Sequence, residues 1–128
     1  MSRYSHLPIY IEAQNLLKEF HVRVPKFHKQ YKYSLGSTLI EHSTAIVAKI
    51  MEINNSRDGE ERRALVRQLE KNIDMLFVHL RISYDLKQIN SDDSYMFLSG
   101  KITEILKQTE GWKKYLLTVG IPRVHSML

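Results

Sequence analysis

Apolar residues recur at three- and four-residue spacing in four stretches of this chain, and no stretch alternates apolar and polar over the length of a strand. The pattern predicts four helices and no sheet. The first, over about 8–22, puts Ile9, Ala13, Leu16 and Phe20 on one stripe, with Pro8 in its first turn and Pro25 beyond its end. The second is predicted over 25–54, with Phe27, Tyr31, Leu35, Leu39, Ile46, Ile50 and Ile53 inward. Asn54, Asn55 and Ser56 close it with residues that tolerate a left-handed C-cap. The third, over 58–89, opens with Asp58 and Glu61 at capping-box spacing and carries the stripe Leu65, Leu69, Ile73, Leu76, Leu80 and Tyr84. The fourth, over 93–118, follows the caps and negative charge of Asn90, Ser91, Asp92 and Asp93. Its stripe is Leu98, Ile102, Ile105, Trp112 and Leu116, with Gly111 as a point of bending, before a short tail at Gly120, Ile121 and Pro122.

Short connections force antiparallel neighbours, so the expected fold is all-α: an up-down-up-down antiparallel four-helix bundle, one domain over 1–128. Val47, Met51, Val66, Phe77, Val78, Met96 and Phe97 fall off the main stripes. A monomeric bundle buries one face per helix, so this second set is expected either to meet another subunit or to stand as scattered exposed apolar residues.

The chain has 128 residues, 43% of them hydrophobic, and no cysteine. That length buries roughly two thirds of the surface of the unfolded chain and needs no staples. The lack of cysteine excludes disulfides, thiolate metal sites, iron–sulfur clusters and thiol catalysis. Apolar runs fall far short of a membrane span, and the start lacks the apolar core of a signal peptide, so a cytoplasmic location without membrane contact is expected. No glutamate is followed three residues later by histidine, as a di-iron bundle would require, and there is no nucleophile elbow or Gly-rich phosphate loop. Asp92 and Asp93 read as helix-start residues rather than an acid/base dyad, and His42 as a hydrogen-bonded core residue rather than a ligand. The expectation is a protein that is not an enzyme and holds no metal or cofactor.

Net charge is +5, and its distribution is uneven. Arg23, Lys26, Lys29 and Lys32 lie in a stretch free of acids, and Lys113, Lys114 and Arg123 form a second cluster. If residues from Pro25 onward are helical, Lys26, Lys29 and Lys32 cover one side while Phe27, Tyr31 and Leu35 cover the other. Such a ridge suits phosphate contacts that position nucleic acid without reading its sequence, while by composition alone the same lysines describe a solvated helix start. Gly36 is expected to continue the basic side and to permit close approach of another backbone. Arg81 with Asp85, and Arg67 with Glu70 and Lys71, mark the solvated face of the third helix.

The runs Pro8-Ile9-Tyr10, Val24-Pro25-Lys26 and Tyr31-Lys32-Tyr33-Ser34-Leu35-Gly36 resemble the accessory variability determinant (Avd) family of diversity-generating retroelements. Asn54-Asn55, Leu80-Arg81, Asp85-Leu86-Lys87 and Gly111-Trp112-Lys113-Lys114 follow in the family's order, so the resemblance covers about 7–116. Related bundle proteins encoded in ribosomal-RNA intervening sequences share the proline and Tyr-x-Leu region. They continue with an Arg-rich segment and an Ile-Pro-x-Asn-Ile-Ala-Glu-Gly type sequence that Ser37 to Ile53 does not match. The resemblance implies a basic, non-enzymatic bundle, assembled as a homo-pentameric barrel, that binds the retroelement's reverse transcriptase and engages RNA or DNA during mutagenic retrohoming. Lys26, Lys29, Lys32, Arg81 and Lys87 match positive positions of that pattern, and Arg63, Arg67 and Lys71 extend the surface of the third helix. The alternative is a protein-interaction bundle of the intervening-sequence type with no retroelement role. Because +5 per chain is modest, the attraction for nucleic acid is expected to depend on assembly.

Overall fold

A computed structural model of the chain describes residues 7–119, with side chains through residue 115. Four long helices make up most of it: α1 (Pro8–Arg23), α2 (Ser37–Asn55), α3 (Gly59–Asp85) and α4 (Asp92–Val119), with no strand among the described residues. Helix α1 packs on α2 and α4, and α3 packs on the same two, so the four close a ring. One core fills it, built from Ile9, Leu16 and Phe20 of α1, Leu39, Ile46 and Ile50 of α2, Leu69, Ile73, Leu76 and Leu80 of α3, and Leu98, Ile102 and Ile105 of α4. Each such side chain contributes roughly 1.5–3 kcal/mol by leaving water. The expected tail at Gly120, Ile121, Pro122 and Arg123 lies outside the described residues, as do His6, His125 and the side chain of Leu116.

The largest departure from the apolar pattern lies between α1 and α2. Helix does not resume at Pro25. Val24–Lys26 is a single 3₁₀ turn, Phe27 is extended (φ −66°, ψ 153°), and helical backbone restarts at Lys29–Tyr31. Val24 and Phe27 are both buried, and a turn followed by an extended residue lets both side chains enter the core. A five-residue π turn, Lys32–Gly36, then leads into α2. The added residue in this turn brings Leu35 and Gly36 inward together, so Gly36 belongs to the buried side and not to the basic side. A Cβ on Gly36 would stand 2.5 Å from Val24 Cγ1 and 3.4 Å from Phe27 Cδ2. The close approach that glycine permits is therefore to the chain's own 24–27 link.

At the far end of α2 the left-handed cap expected at Asn54 and Asn55 is absent: Ser56 is extended (φ −75°, ψ 140°). The terminal carbonyls are met by Arg62, whose Nε donates to Ile53 O at 2.9 Å and whose guanidinium reaches Asn54 O at 3.4 Å. Arg62 is wholly buried, and burial pulls its pKa below the ordinary arginine value. At the start of α3, Asp58 accepts the Glu61 N–H at 3.2 Å, as the capping pattern anticipates. The buried arc of α3 runs through Val66, which the stripe had left out, while Leu65 sits at its edge. Val47 and Phe77 also pack against the core, whereas Val78, Met96 and Phe97 are exposed.

Helix α3 ends at Asp85, four residues before the predicted end. Gln88 N–H donates to Ser83 O at 2.8 Å and Lys87 N–H to Tyr84 O at 3.0 Å, the paired bonds of a Schellman ending. Such an ending needs a left-handed residue, and Lys87 supplies it at φ 62°. Helix α4 then starts behind Ser91, whose hydroxyl accepts the Ser94 N–H at 3.0 Å, and continues as one helix through Gly111.

Urea unfolding tests this packing. Gly36→Ala lowers stability by about 1–3 kcal/mol, because the methyl meets Val24. Gly111→Ala, where a Cβ meets nothing within 4 Å, raises it by roughly 0.5–1 kcal/mol. Arg62→Met costs about 2–4 kcal/mol by stranding the buried carbonyls of Ile53 and Asn54. Arg62→Lys recovers little of that, since a single ammonium lacks the planar fork that reaches both.

Candidate nucleic-acid interface

Two connections meet: the 24–28 link after α1 and the 86–91 connection after α3. They are tied by the His28 N–H, which donates to Gln88 Oε1 at 2.8 Å, while Gln88 Nε2 donates to Leu86 O at 2.9 Å. Between them and the end of α1 lies a cleft of about 390 Å³. Arg23, Lys26, His28 and Lys87 supply its basic lining, Glu19 its acidic member, and Val22 and Ile89 its apolar part. Arg23 is engaged by Glu19, Nε to Oε1 at 3.1 Å, and its guanidinium also lies 5.8 Å from the Phe97 ring centre. Lys26 and Lys87 are exposed, and no ion pair holds either of them among the described residues.

Two of the residues predicted to meet phosphate, Lys26 and Lys87, thus share one cleft, although neither stands where the helical pattern put it. Lys26 lies in the 3₁₀ turn instead of on a helical ridge with Lys29 and Lys32. Lys87 lies past the end of α3 instead of on its face. Lys29 is exposed and Lys32 half-buried, both at the head of the segment leading into α2.

Arg81 occupies a different setting. Its Nε donates to Asp85 Oδ1 at 3.0 Å, and its guanidinium sits 5.7 Å from the Tyr84 ring centre and 6.0 Å from that of Tyr95. The Tyr95 hydroxyl first, and Asp85 second, hold its pKa above the ordinary arginine value. Tyr84 stacks on Tyr95 with ring centres 4.5 Å apart and donates its hydroxyl proton to Asp92, which holds the phenol above the usual tyrosine range. Arg81 belongs to a cross-helix cluster joining α3 to α4, engaged by Asp85 and Tyr95.

Arg63, Arg67 and Lys71 are not part of the cleft. Arg63 and Arg81 are separated by five helical turns, which puts them on one face of α3 but about 27 Å apart. Glu70 pairs across to Lys113 of α4 at 3.3 Å and interrupts the row. His42, read as a lone core residue, is half-buried with its ring centre 5.3 Å from that of His79, whose Nδ1 is 2.8 Å from Met75 O. Among the described residues no group of three or more histidines and carboxylates is placed to hold a metal, and no helix is long and apolar enough to cross a membrane.

Sequence reasoning missed Arg62 and the pairing of His28 with Gln88. Arg62 carries a signal of its own, since it falls on the buried arc between Asp58 and Val66, but a run of charged residues in a helix start normally stays wet. Neither the protein-family models nor the curated proteins include a match to this chain.

Lys87 occupies a backbone position where glycine is the least strained residue. Lys87→Gly therefore raises stability by roughly 0.5–1 kcal/mol in urea unfolding, and Lys87→Val lowers it, because a β-branched residue fits the left-handed region worst.

Proposed function

We propose that this chain is a non-enzymatic accessory protein of a diversity-generating retroelement, binding RNA or DNA together with the element's reverse transcriptase in the cytoplasm. The convergence of Lys26 and Lys87 in one cleft supports this reading most. Two distant segments that match the Avd pattern supply one pair of cations there, and Lys87 keeps its charge at a strained position that glycine would relieve. Phosphates are held by Lys26 and Lys87, with Lys29 and Lys32 extending the path. Arg63, Arg67 and Lys71 form a separate row for further backbone contacts, and Arg81 braces the α3–α4 end behind Lys87. In this reading the helices run up-down-up-down and the chain is one subunit of a homo-pentamer, which multiplies the modest charge of each copy.

A second reading, a bundle that only binds other proteins, draws on a different observation. Val78 and Ile82 of α3, with Leu86 just past its end, are exposed apolar residues at four-residue spacing.

Light scattering across a salt series, with and without a structured RNA, separates the two. The accessory reading expects a particle of five chains whose RNA affinity falls steeply with salt. Charge reversal at both Lys26 and Lys87 then weakens binding at least about tenfold and flattens the salt slope by about one for each phosphate that is no longer neutralised. A monomer indifferent to RNA overturns it, and a pentamer indifferent to RNA favours the second reading.

A further inference from the structure

Tyr33 is 77% exposed, whereas Tyr10, Tyr31, Tyr84 and Tyr95 all pack against the core. It stands in the π turn, where the turning inward of Leu35 and Gly36 leaves the Tyr33 ring outside. That turn is firmly held. Gly36 is wedged against Val24, the Ser34 hydroxyl donates to Gln30 O at 3.3 Å, and the Thr38 hydroxyl donates to Ser34 O at 3.0 Å. The Lys32 ammonium lies 6.0 Å from the ring centre, and Lys29 is exposed one turn earlier. The turn therefore presents an exposed aromatic ring with Lys32 beside it and Lys29 nearby.

We propose that Tyr33 is a stacking platform for an unpaired base, and that the nucleic acid crossing this turn is single-stranded. The inference rests on the nucleic-acid reading above and adds to it the form of the ligand. A base offers its flat face to a tyrosine only when it is not enclosed in a duplex, and its flanking phosphates then fall within reach of Lys29 and Lys32. A duplex meets the same lysines through its backbone and leaves the ring unused. Stacking on a tyrosine ring tolerates any base, so the site discriminates strand state and not sequence.

The test compares binding of unstructured oligouridine, oligothymidine and a long RNA duplex to the full chain and to Tyr33→Leu and Tyr33→Phe, with light-scattering mass measured for each variant. Tyr33→Leu is expected to weaken binding of the single strands by between about fivefold and a hundredfold and to leave the duplex unchanged. Tyr33→Phe, which keeps the ring, is expected to bind as the unaltered chain does. A loss confined to oligouridine identifies RNA as the ligand, and one confined to oligothymidine identifies DNA. Single-strand binding that survives Tyr33→Leu, or an equal loss on the duplex, overturns the platform while leaving nucleic-acid binding intact. A changed particle mass for Tyr33→Leu also overturns it, because the ring is then covered by a second copy. If neither strands nor duplex bind the unaltered chain, the nucleic-acid reading fails along with it.

Discussion

A guanidinium buried among main-chain carbonyls is the constraint on which the rest of this bundle depends. A helix end leaves its last carbonyls without partners, and inside a protein each unpaired one costs on the order of 1–3 kcal/mol. At the end of α2 the chain leaves through an extended Ser56 in place of a left-handed cap, and the guanidinium of Arg62 meets the last carbonyls. The charge is tolerated there because its donors are used on carbonyls at the negative end of the α2 dipole. Arg62 sits in the first turns of α3, so the bonds that finish α2 also set where α3 begins and how the two helices pair.

The opposite end is organised by shape. Val24 and Phe27 enter the core from a link that is not helical, and Gly36 makes room for Val24. This wedge determines how the π turn faces, which in turn points Tyr33 outward and sends Lys26 toward the α3–α4 connection. From the other side, the Schellman ending of α3 brings Lys87 to the same place, and the bond from His28 to Gln88 joins the two connections. The basic cleft is thus a by-product of how two helices are stopped.

Within this arrangement the positive residues divide by how free they are. Arg23 and Arg81 are paired with Glu19 and Asp85 and lie beside aromatic rings, although the Arg81 side chain stays 62% exposed. Lys26, Lys29 and Lys87 are exposed and no ion pair holds them among the described residues, and on the proposed reading a flexible ammonium suits a phosphate backbone that is held without being read.

The apolar period by itself determined that four helices form, most of the residues that face inward, and that no sheet competes, although on α3 it named Leu65 where Val66 is buried. Burial of one side of a helix imprints a repeat that local sequence carries in full, and the stripes through Leu16, Ile46, Ile73 and Ile102 needed nothing more. The charge run from Arg23 to Lys32 was equally plain. Only the tertiary structure decided how the helices end. Lys26 left the ridge, Gly36 turned inward, Arg62 went into the core, and Lys87 came to line the same cleft as Lys26. Helix ends are settled by which carbonyls need donors and which side chains must share space, and those partners come from segments far apart in the chain. Periodicity is silent there, and so the cleft, made wholly of such ends, could be seen only after folding.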